Sequence, residues 1–112
     1  MTTYDFEDGN GPVPAHKHSN GGGWVANTAI VHETAYVGPN AEVSGNARVC
    51  GNAQVYGNAK VYGVAEVSGN AQVFGNAEVS GNARVSGNAL VFGDAQVFGD
   101  AKVSSNARVS GN

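Results

Sequence analysis

Apolar residues follow a six-residue period along most of the chain. Valine stands at every sixth position from Val25 to Val109, and alanine stands four residues after each valine from Ala29 to Ala107. An amphipathic helix would repeat its apolar residues every three to four positions and would be destabilised by a glycine in every unit. The pattern therefore excludes helix for this part of the chain.

Each unit of the repeat combines a strand pattern with a turn pattern. The consensus reads Val-x-Gly-Asn-Ala-x, as in residues 43–48. The triplet Ala-x-Val alternates inward, outward and inward side chains, as a β-strand does. Glycine and asparagine adopt a positive φ more readily than other residues, so they predict a corner. Each unit is then one short strand and one turn, and successive coils pair their strands in parallel.

The outward residues indicate how many units complete one coil. When every third unit is assigned to the same face, three of the aromatic residues that follow a valine gather on one face, as Tyr56, Phe74 and Phe92, and the other two, Tyr62 and Phe98, share a second face. Assigning every second unit to the same face scatters the aromatic residues over both classes of face. We therefore predict an all-β fold: a single-stranded, three-sided parallel β-helix of about five 18-residue coils at residues 24–112. A short irregular N-terminal cap at residues 1–23 precedes it.

Two groups of polar side chains are expected to fix the stacking of the coils. Charges of opposite sign alternate along the other two faces, in the rows Glu42–Lys60–Glu78 and Arg48–Glu66–Arg84. Four asparagines at one corner predict a ladder of side-chain amides: Asn52, Asn70, Asn88 and Asn106. Exposed ion pairs contribute only about 0–1 kcal/mol each, so we expect them to affect the register more than the stability.

The repeat unit resembles the hexapeptide pattern of left-handed parallel β-helix proteins, over roughly four-fifths of the chain. The left hand of the coils is implied by this resemblance alone. The entry Gly21-Gly22-Gly23-Trp24-Val25, followed by Gly-Asn-Ala-x-Val units, resembles hexapeptide-repeat proteins of bacteria and their prophages. The resemblance implies a fold much more narrowly than an activity, because many functions occur on this scaffold.

Composition excludes several classes of protein. The 112 residues suffice for one domain, and a net charge of −3 with 13% charged residues gives no attraction for nucleic acid. Cys50 is the single cysteine, so no intrachain disulfide can form. No apolar run has the length of a membrane span, and Met1–Asn10 lacks the features of a secretory signal. We expect a cytoplasmic protein, or part of a phage particle, that binds neither membranes nor nucleic acid.

The resemblance raises acyl transfer as an activity, because the best-known hexapeptide proteins are acyltransferases. Those enzymes usually interrupt the coils with a loop and place a histidine between subunits to deprotonate the acceptor. Here no residue is inserted from Val25 to Asn112, and the only histidine on the coils is His32. We therefore expect no catalytic residues, no enzymatic activity and no cofactor.

Three histidines are the candidates for a metal site. In an extended segment His16 and His18 would lie on the same side, and His32 could supply a third ligand. The set resembles a zinc or γ-class carbonic anhydrase site only in ligand type, because that family's ligand spacing along the coils is absent. We expect no bound metal.

The aromatic face is the strongest functional feature of the sequence. It carries no charge until Arg108, and its candidate interface residues are Tyr36, Tyr56, Phe74, Leu90 and Phe92. Such a stripe predicts self-association. The resemblance to hexapeptide proteins, which commonly form trimers, implies a homotrimer. The leading hypothesis is a non-catalytic, rigid module that assembles through this face, and the resemblance to prophage proteins raises a phage association. The alternatives are a protein that binds or sequesters a small-molecule ligand between subunits and, below it, a filament former that resembles bactofilins.

Overall fold

The computed structural model describes residues 3–6 and 11–111, and these residues form short β-strands joined by turns. Most strands contain only two residues, the outward residue and the valine of each unit. In chain order the strands are β1 (Thr3–Asp5), β2 (Pro12–Lys17), β3 (Trp24–Ala26), β4 (Ile30–Val31), β5 (Tyr36–Val37), β6 (Glu42–Val43), β7 (Arg48–Val49), β8 (Gln54–Val55), β9 (Lys60–Val61), β10 (Glu66–Val67), β11 (Gln72–Val73), β12 (Glu78–Val79), β13 (Arg84–Val85), β14 (Leu90–Gly93), β15 (Gln96–Val97), β16 (Lys102–Val103) and β17 (Arg108–Gly111).

The strands form three sheets, one for each side of a β-solenoid. The hairpin sheet has the order β1-β2-β3-β6-β9-β12-β15, the charged sheet β4-β7-β10-β13-β16, and the aromatic sheet β5-β8-β11-β14-β17. From β3 onward all pairing is parallel, and each valine lies beside the valine of the third unit after it, as Val43 beside Val61. The predicted three-sided solenoid of about five 18-residue coils is confirmed. The left hand of the coils stays a prediction.

The core is a column of valine and alanine. The repeat valines from Val43 to Val91 and the repeat alanines from Ala47 to Ala89 are fully buried. Two further repeat valines, Val31 and Val109, pack against this core and are partly exposed. All the repeat valines therefore point inward, as predicted. The small alanine next to each corner suits the narrow interior that the valines fill.

The corner glycines allow successive coils to approach closely. From Gly45 to Gly99 the corner glycine of each unit has φ between 65° and 72°. A Cβ on Gly69 would lie 3.0 Å from the backbone nitrogen of Gly87 in the next coil. The backbone continues the ladder through the corner, where the Asn70 amide donates to the Gly87 carbonyl at 2.8 Å. Glycine is therefore required for its φ and for its lack of a side chain.

The N-terminal segment is more regular than the irregular cap expected from its sequence. Strands β1 and β2 pair antiparallel, and β2 pairs antiparallel with β3, so both strands extend the hairpin sheet. Phe6, Ala15 and Ala26 form a small buried cluster beneath them. The pairing covers the edge of β3, which would otherwise be an open strand of the first coil.

A glycine run joins this hairpin to the solenoid. The Gly23 amide donates to the Val37 carbonyl at 3.0 Å, and the Val37 amide donates to the Asn20 carbonyl at 3.0 Å. A Cβ on Gly21 would overlap the carbonyl of Val37. Residues 20–23 thus turn the chain into the first coil, and they also lie against the edge of β5.

The polar ladders differ in part from those expected. In the two charge rows the structure forms one ion pair, Arg84 Nε to Glu66 Oε1 at 3.8 Å. Hydrogen bonds between side chains occur at all three corners, where a ladder at one was expected: Asn58 to Asn76 to Asp94, Asn82 to Asp100, and Asn88 to Asn106. Among the described asparagines of the expected corner, the structure forms the Asn88–Asn106 bond but not the bonds predicted for Asn52 and Asn70. Each corner presents such groups at the spacing of the coils, so each can form a ladder. None of the described residues lies in a helix long and apolar enough to cross a membrane.

Candidate interaction surface

The aromatic sheet carries a continuous ladder of rings along its outer surface. The centroids of Tyr56 and Phe74 are 5.0 Å apart with planes 5° from parallel, and those of Phe74 and Phe92 are 5.3 Å apart at 8°. The stacking follows from the parallel register, which places equivalent residues of every third unit on adjacent coils. We call these three residues, with Tyr36 and Leu90 beside them, the aromatic ladder.

Tyr36 covers the N-terminal end of the ladder from a different position in its unit. Its ring meets that of Tyr56 edge to face, with centroids 6.5 Å apart. Gly38 occupies the ladder position on this coil, and a Cβ there would lie 3.0 Å from Tyr56 Cβ and 3.4 Å from Tyr36 Cε2. Glycine at this position thus leaves room for the Tyr36 ring.

All five predicted interface residues lie on this one surface. Tyr36, Tyr56, Phe74, Leu90 and Phe92 are each half-buried, because neighbouring side chains on adjacent coils cover part of every one. Beside the rings, Gln54 and Gln72 occupy the outward positions between Tyr36 and Leu90. The hydroxyl of Tyr56 donates to Oε1 of Gln72 at 3.2 Å, a contact that the sequence pattern does not indicate. The surface is therefore apolar along the rings, with a neutral polar margin.

The three histidines considered as metal ligands have separate hydrogen-bond partners. His16 Nδ1 lies 2.7 Å from Asn27 Oδ1, and His32 Nδ1 lies 2.8 Å from Thr34 Oγ1. His18 is buried, and its Nε2 lies 2.8 Å from the carbonyl oxygen of Ala35. Within residues 3–6 and 11–111 no three His, Cys, Asp or Glu side chains are grouped as metal ligands would be. His18 instead fastens the N-terminal segment to the first coil.

A groove elsewhere on the molecule was not expected from the sequence. A groove of about 450 Å³ lies where the N-terminal hairpin meets the first coils, and its lining includes Tyr4, Trp24, Glu42 and Lys60. Trp24, Glu42 and Lys60 belong to one outward row of the hairpin sheet, whereas Tyr4 comes from β1. No repeat in the sequence relates Tyr4 to that row, so only the folded hairpin brings it there.

One family model matches part of the chain. The model described as YdcK Beta solenoid repeat matches residues 77–93 and again residues 83–99. The second match begins one six-residue unit after the first, so both detect the same repeat. No match was found among curated proteins or among solved structures. The repeat in residues 77–99 is thus similar to that family's repeat. The chain is a β-solenoid repeat protein.

Proposed function

We propose that this protein is a rigid, non-catalytic module of the hexapeptide-repeat type that forms a homotrimer through the aromatic ladder. The observation that carries the proposal is the stack of Tyr56, Phe74 and Phe92, in which two successive contacts are parallel within 8°. The phage association and the cytoplasmic location that the sequence favours stay predictions.

Rigidity of the ladder favours association. Association normally loses free energy when mobile side chains become ordered, by about 0.5–1.5 kcal/mol for each flexible side chain. The rings of the ladder are already held between neighbours on adjacent coils, so less ordering remains to be done. Burying one large apolar side chain contributes about 1.5–3 kcal/mol, and several such side chains lie side by side here.

The distribution of charge favours the aromatic sheet, rather than either of the other two sheets, as the interface between copies of the chain. Along its outward rows Tyr36, the two glutamines and Leu90 are uncharged, and the first charge is Arg108 on β17. The charged sheet presents Arg48, Glu66, Arg84 and Lys102 in one row. Removing those charges from water costs several kcal/mol for each ion. The aromatic sheet is therefore the side on which association is most favourable.

The uninterrupted coils support the non-catalytic part of the proposal. Between β3 and β17 every strand pairs with the strand of the third unit before or after it, and the turns between strands are equally short. No inserted loop in this region covers a cleft that would exclude water from a reaction. The aromatic sheet instead presents a regular row of apolar side chains, which suits binding to another copy of the chain.

The first test measures mass in solution for the wild type and for Phe74→Glu. We expect a trimer at tens of micromolar by sedimentation velocity, in low and in high sodium chloride. Phe74→Glu places a charge in the middle of the ladder, so the trimer should dissociate, with an affinity lower by at least about tenfold. The mass should not fall as salt increases, because apolar contacts are not screened.

Phe98→Glu is the matched control. Phe98 also follows a valine and points outward, but it lies on the hairpin sheet and is 64% exposed. This variant should assemble as the wild type does. Leu90→Glu changes the same surface without removing a ring, and it should also dissociate the trimer if Phe74→Glu melts too early to be measured. A monomeric wild type, or normal assembly of both ladder variants, would contradict the proposal.

A further inference from the structure

The groove at the first coils lies on the opposite side of a corner from the aromatic ladder. The corner at Asn58 separates Tyr56 of the ladder from Lys60 of the groove. The groove has a volume of about 450 Å³, within the range of sites for small molecules. Tyr4 and Trp24 form one wall, and Asn40 and Asn58 line the corner side. The other lining residues are Pro39, Ala41, Glu42 and Lys60.

The aromatic wall of the groove consists of Tyr4 and Trp24. Contacts with each other and with two further side chains hold these rings in place. The rings of Tyr4 and Trp24 stack with centroids 4.6 Å apart and planes 18° from parallel. Phe6 packs edge to face on Tyr4 at 4.8 Å, and Lys17 Nζ lies 5.6 Å from the Trp24 centroid. The wall is thus fixed before any ligand arrives, which reduces the ordering that binding would require.

Lys60 lacks the ion pairs that its position in the charge row predicts. Glu42 accepts a hydrogen bond from the Tyr4 hydroxyl at 2.7 Å, and Glu78 accepts one from the Tyr62 hydroxyl at 3.2 Å. Both carboxylates flank Lys60 in the register of the sheet. Neither lies within 4.0 Å of its ammonium group, and Lys60 as a whole is half-buried in the groove lining. This ammonium group can therefore donate hydrogen bonds to a bound molecule.

The corner adds amide groups to the site. The Asn58 amide nitrogen donates to Asn76 Oδ1 at 3.3 Å, which orients the side chain and leaves its own oxygen as an acceptor. Asn40 is exposed at the equivalent position of the preceding coil. Together with Glu42 and Lys60, the lining offers both donors and acceptors within one small volume.

We propose that this groove binds a neutral saccharide. Among the lining residues, Glu42 and Lys60 contribute one charge of each sign, so the lining has no net charge with which to select a simple anion or cation. A sugar hydroxyl can donate to Glu42 or Asn58 and accept from Lys60, and it can do both at once. Tyr4 and Trp24 are half-buried members of the lining, and their rings offer an apolar surface for the carbon-bound hydrogens of a pyranose ring.

The fluorescence of Trp24 reports binding directly, because it is the only tryptophan in the chain. Glucose, N-acetylglucosamine and a short oligomer of each serve as probes, with glycine and inorganic phosphate for comparison. We expect a saturable change in emission with at least one saccharide and none with glycine or phosphate. Binding by glycine or phosphate alone, or no response to any saccharide, would overturn the proposal.

Variants of the lining sharpen this test. Lys60→Met should weaken saccharide binding by about tenfold, as expected for loss of a charged hydrogen bond. Tyr4→Phe keeps the ring and removes the hydroxyl that holds Glu42, so a smaller loss should follow. Asn52→Ala, at a corner outside the groove, should bind as the wild type does. If Asn52→Ala weakened binding as much as Lys60→Met, the site would lie elsewhere.

Self-association does not affect this outcome, since the groove belongs to one chain. The Phe74→Glu variant should bind the same saccharide with the wild-type affinity. A loss of binding that accompanies dissociation of the trimer would place the ligand between subunits and contradict a site in this groove.

Discussion

The middle coils and the last described coil have nearly the same sequence but different degrees of burial. Val67 and Ala71 in the middle are fully buried, as are their equivalents on the neighbouring coils. In the last coil Val103 is 7% exposed, and Ala101 and Ala107 are exposed. The same six-residue unit is thus a core element in one place and a surface element in the other. Burial depends on having a coil on both sides, as in other solenoids.

The corner glycines show the same contrast at the level of the backbone. Gly69 and Gly99 both have φ of 66°. A Cβ on Gly69 would meet the backbone of Gly87, whereas a Cβ on Gly99 would meet no atom within 4 Å. Only one requirement for glycine, its φ, therefore remains in the last coil, and Ser105 occupies a corner position there with φ 57°.

The largest expected difference between the two regions comes from a charge in the core. Val67→Asp would bury an unpaired carboxylate between two coils, at a cost of about 3–5 kcal/mol, and should unfold the chain or much of it. Val109→Asp lies in the last coil, where the valine is only partly buried, and should cost less than about 1 kcal/mol. Urea denaturation followed by circular dichroism measures both. Similar losses at the two positions would mean that the last coil is as enclosed as the middle.

A smaller difference is expected at the corners. Gly99→Ala should cost about 1–2 kcal/mol, because alanine is strained at positive φ. Gly69→Ala has the same φ and also places a methyl 3.0 Å from the nitrogen of Gly87, so it should cost about 1–3 kcal/mol more. The thermal midpoints of the two variants give the comparison. Equal midpoints would show that φ alone selects glycine in the repeat.

The smallest effect is expected at Ser105. Ser105→Gly removes the strain of a positive φ but increases the entropy of the unfolded chain, so stability should rise by about 0.5 kcal/mol. The control is Ser104→Gly, whose φ is not positive and which should lower stability slightly. The midpoint of urea denaturation distinguishes the two. Stabilisation by Ser104→Gly instead would show that strain at position 105 is unimportant.

The sequence predicted the architecture because its information repeats. Valine at every sixth position specifies the inward residues, and the recurrence of aromatic residues in every third unit specifies three sides. The stacking of Tyr56, Phe74 and Phe92 follows from that register and needs no further information. The repeat also explains why one family model detects two overlapping segments of the chain.

The side-chain contacts of the charge rows and the strands of the N-terminal segment were less predictable than the coils. Glu42 and Lys60 are neighbours in the register of the sheet. The Glu42 carboxylate, however, accepts a hydrogen bond from the Tyr4 hydroxyl and forms no ion pair with the Lys60 ammonium group. Residues 3–6 and 11–17 carry no repeat, and their strands form because β3 offers an edge to which they can pair. Contacts made outside the period have no counterpart elsewhere in the sequence from which to infer them.

By itself, the sequence determined the strand and corner of each unit, the three sides of the solenoid and the surface that carries the aromatic ladder. These features depend on local alternation and on a fixed period, which are written into every unit. Only the tertiary structure decided where the hairpin sheet begins, how His18 fastens the first coil and how Tyr4 meets Trp24 to form a groove. Those contacts join a segment without a period to a periodic one, so their geometry depends on the edges and spaces that the folded coils leave open.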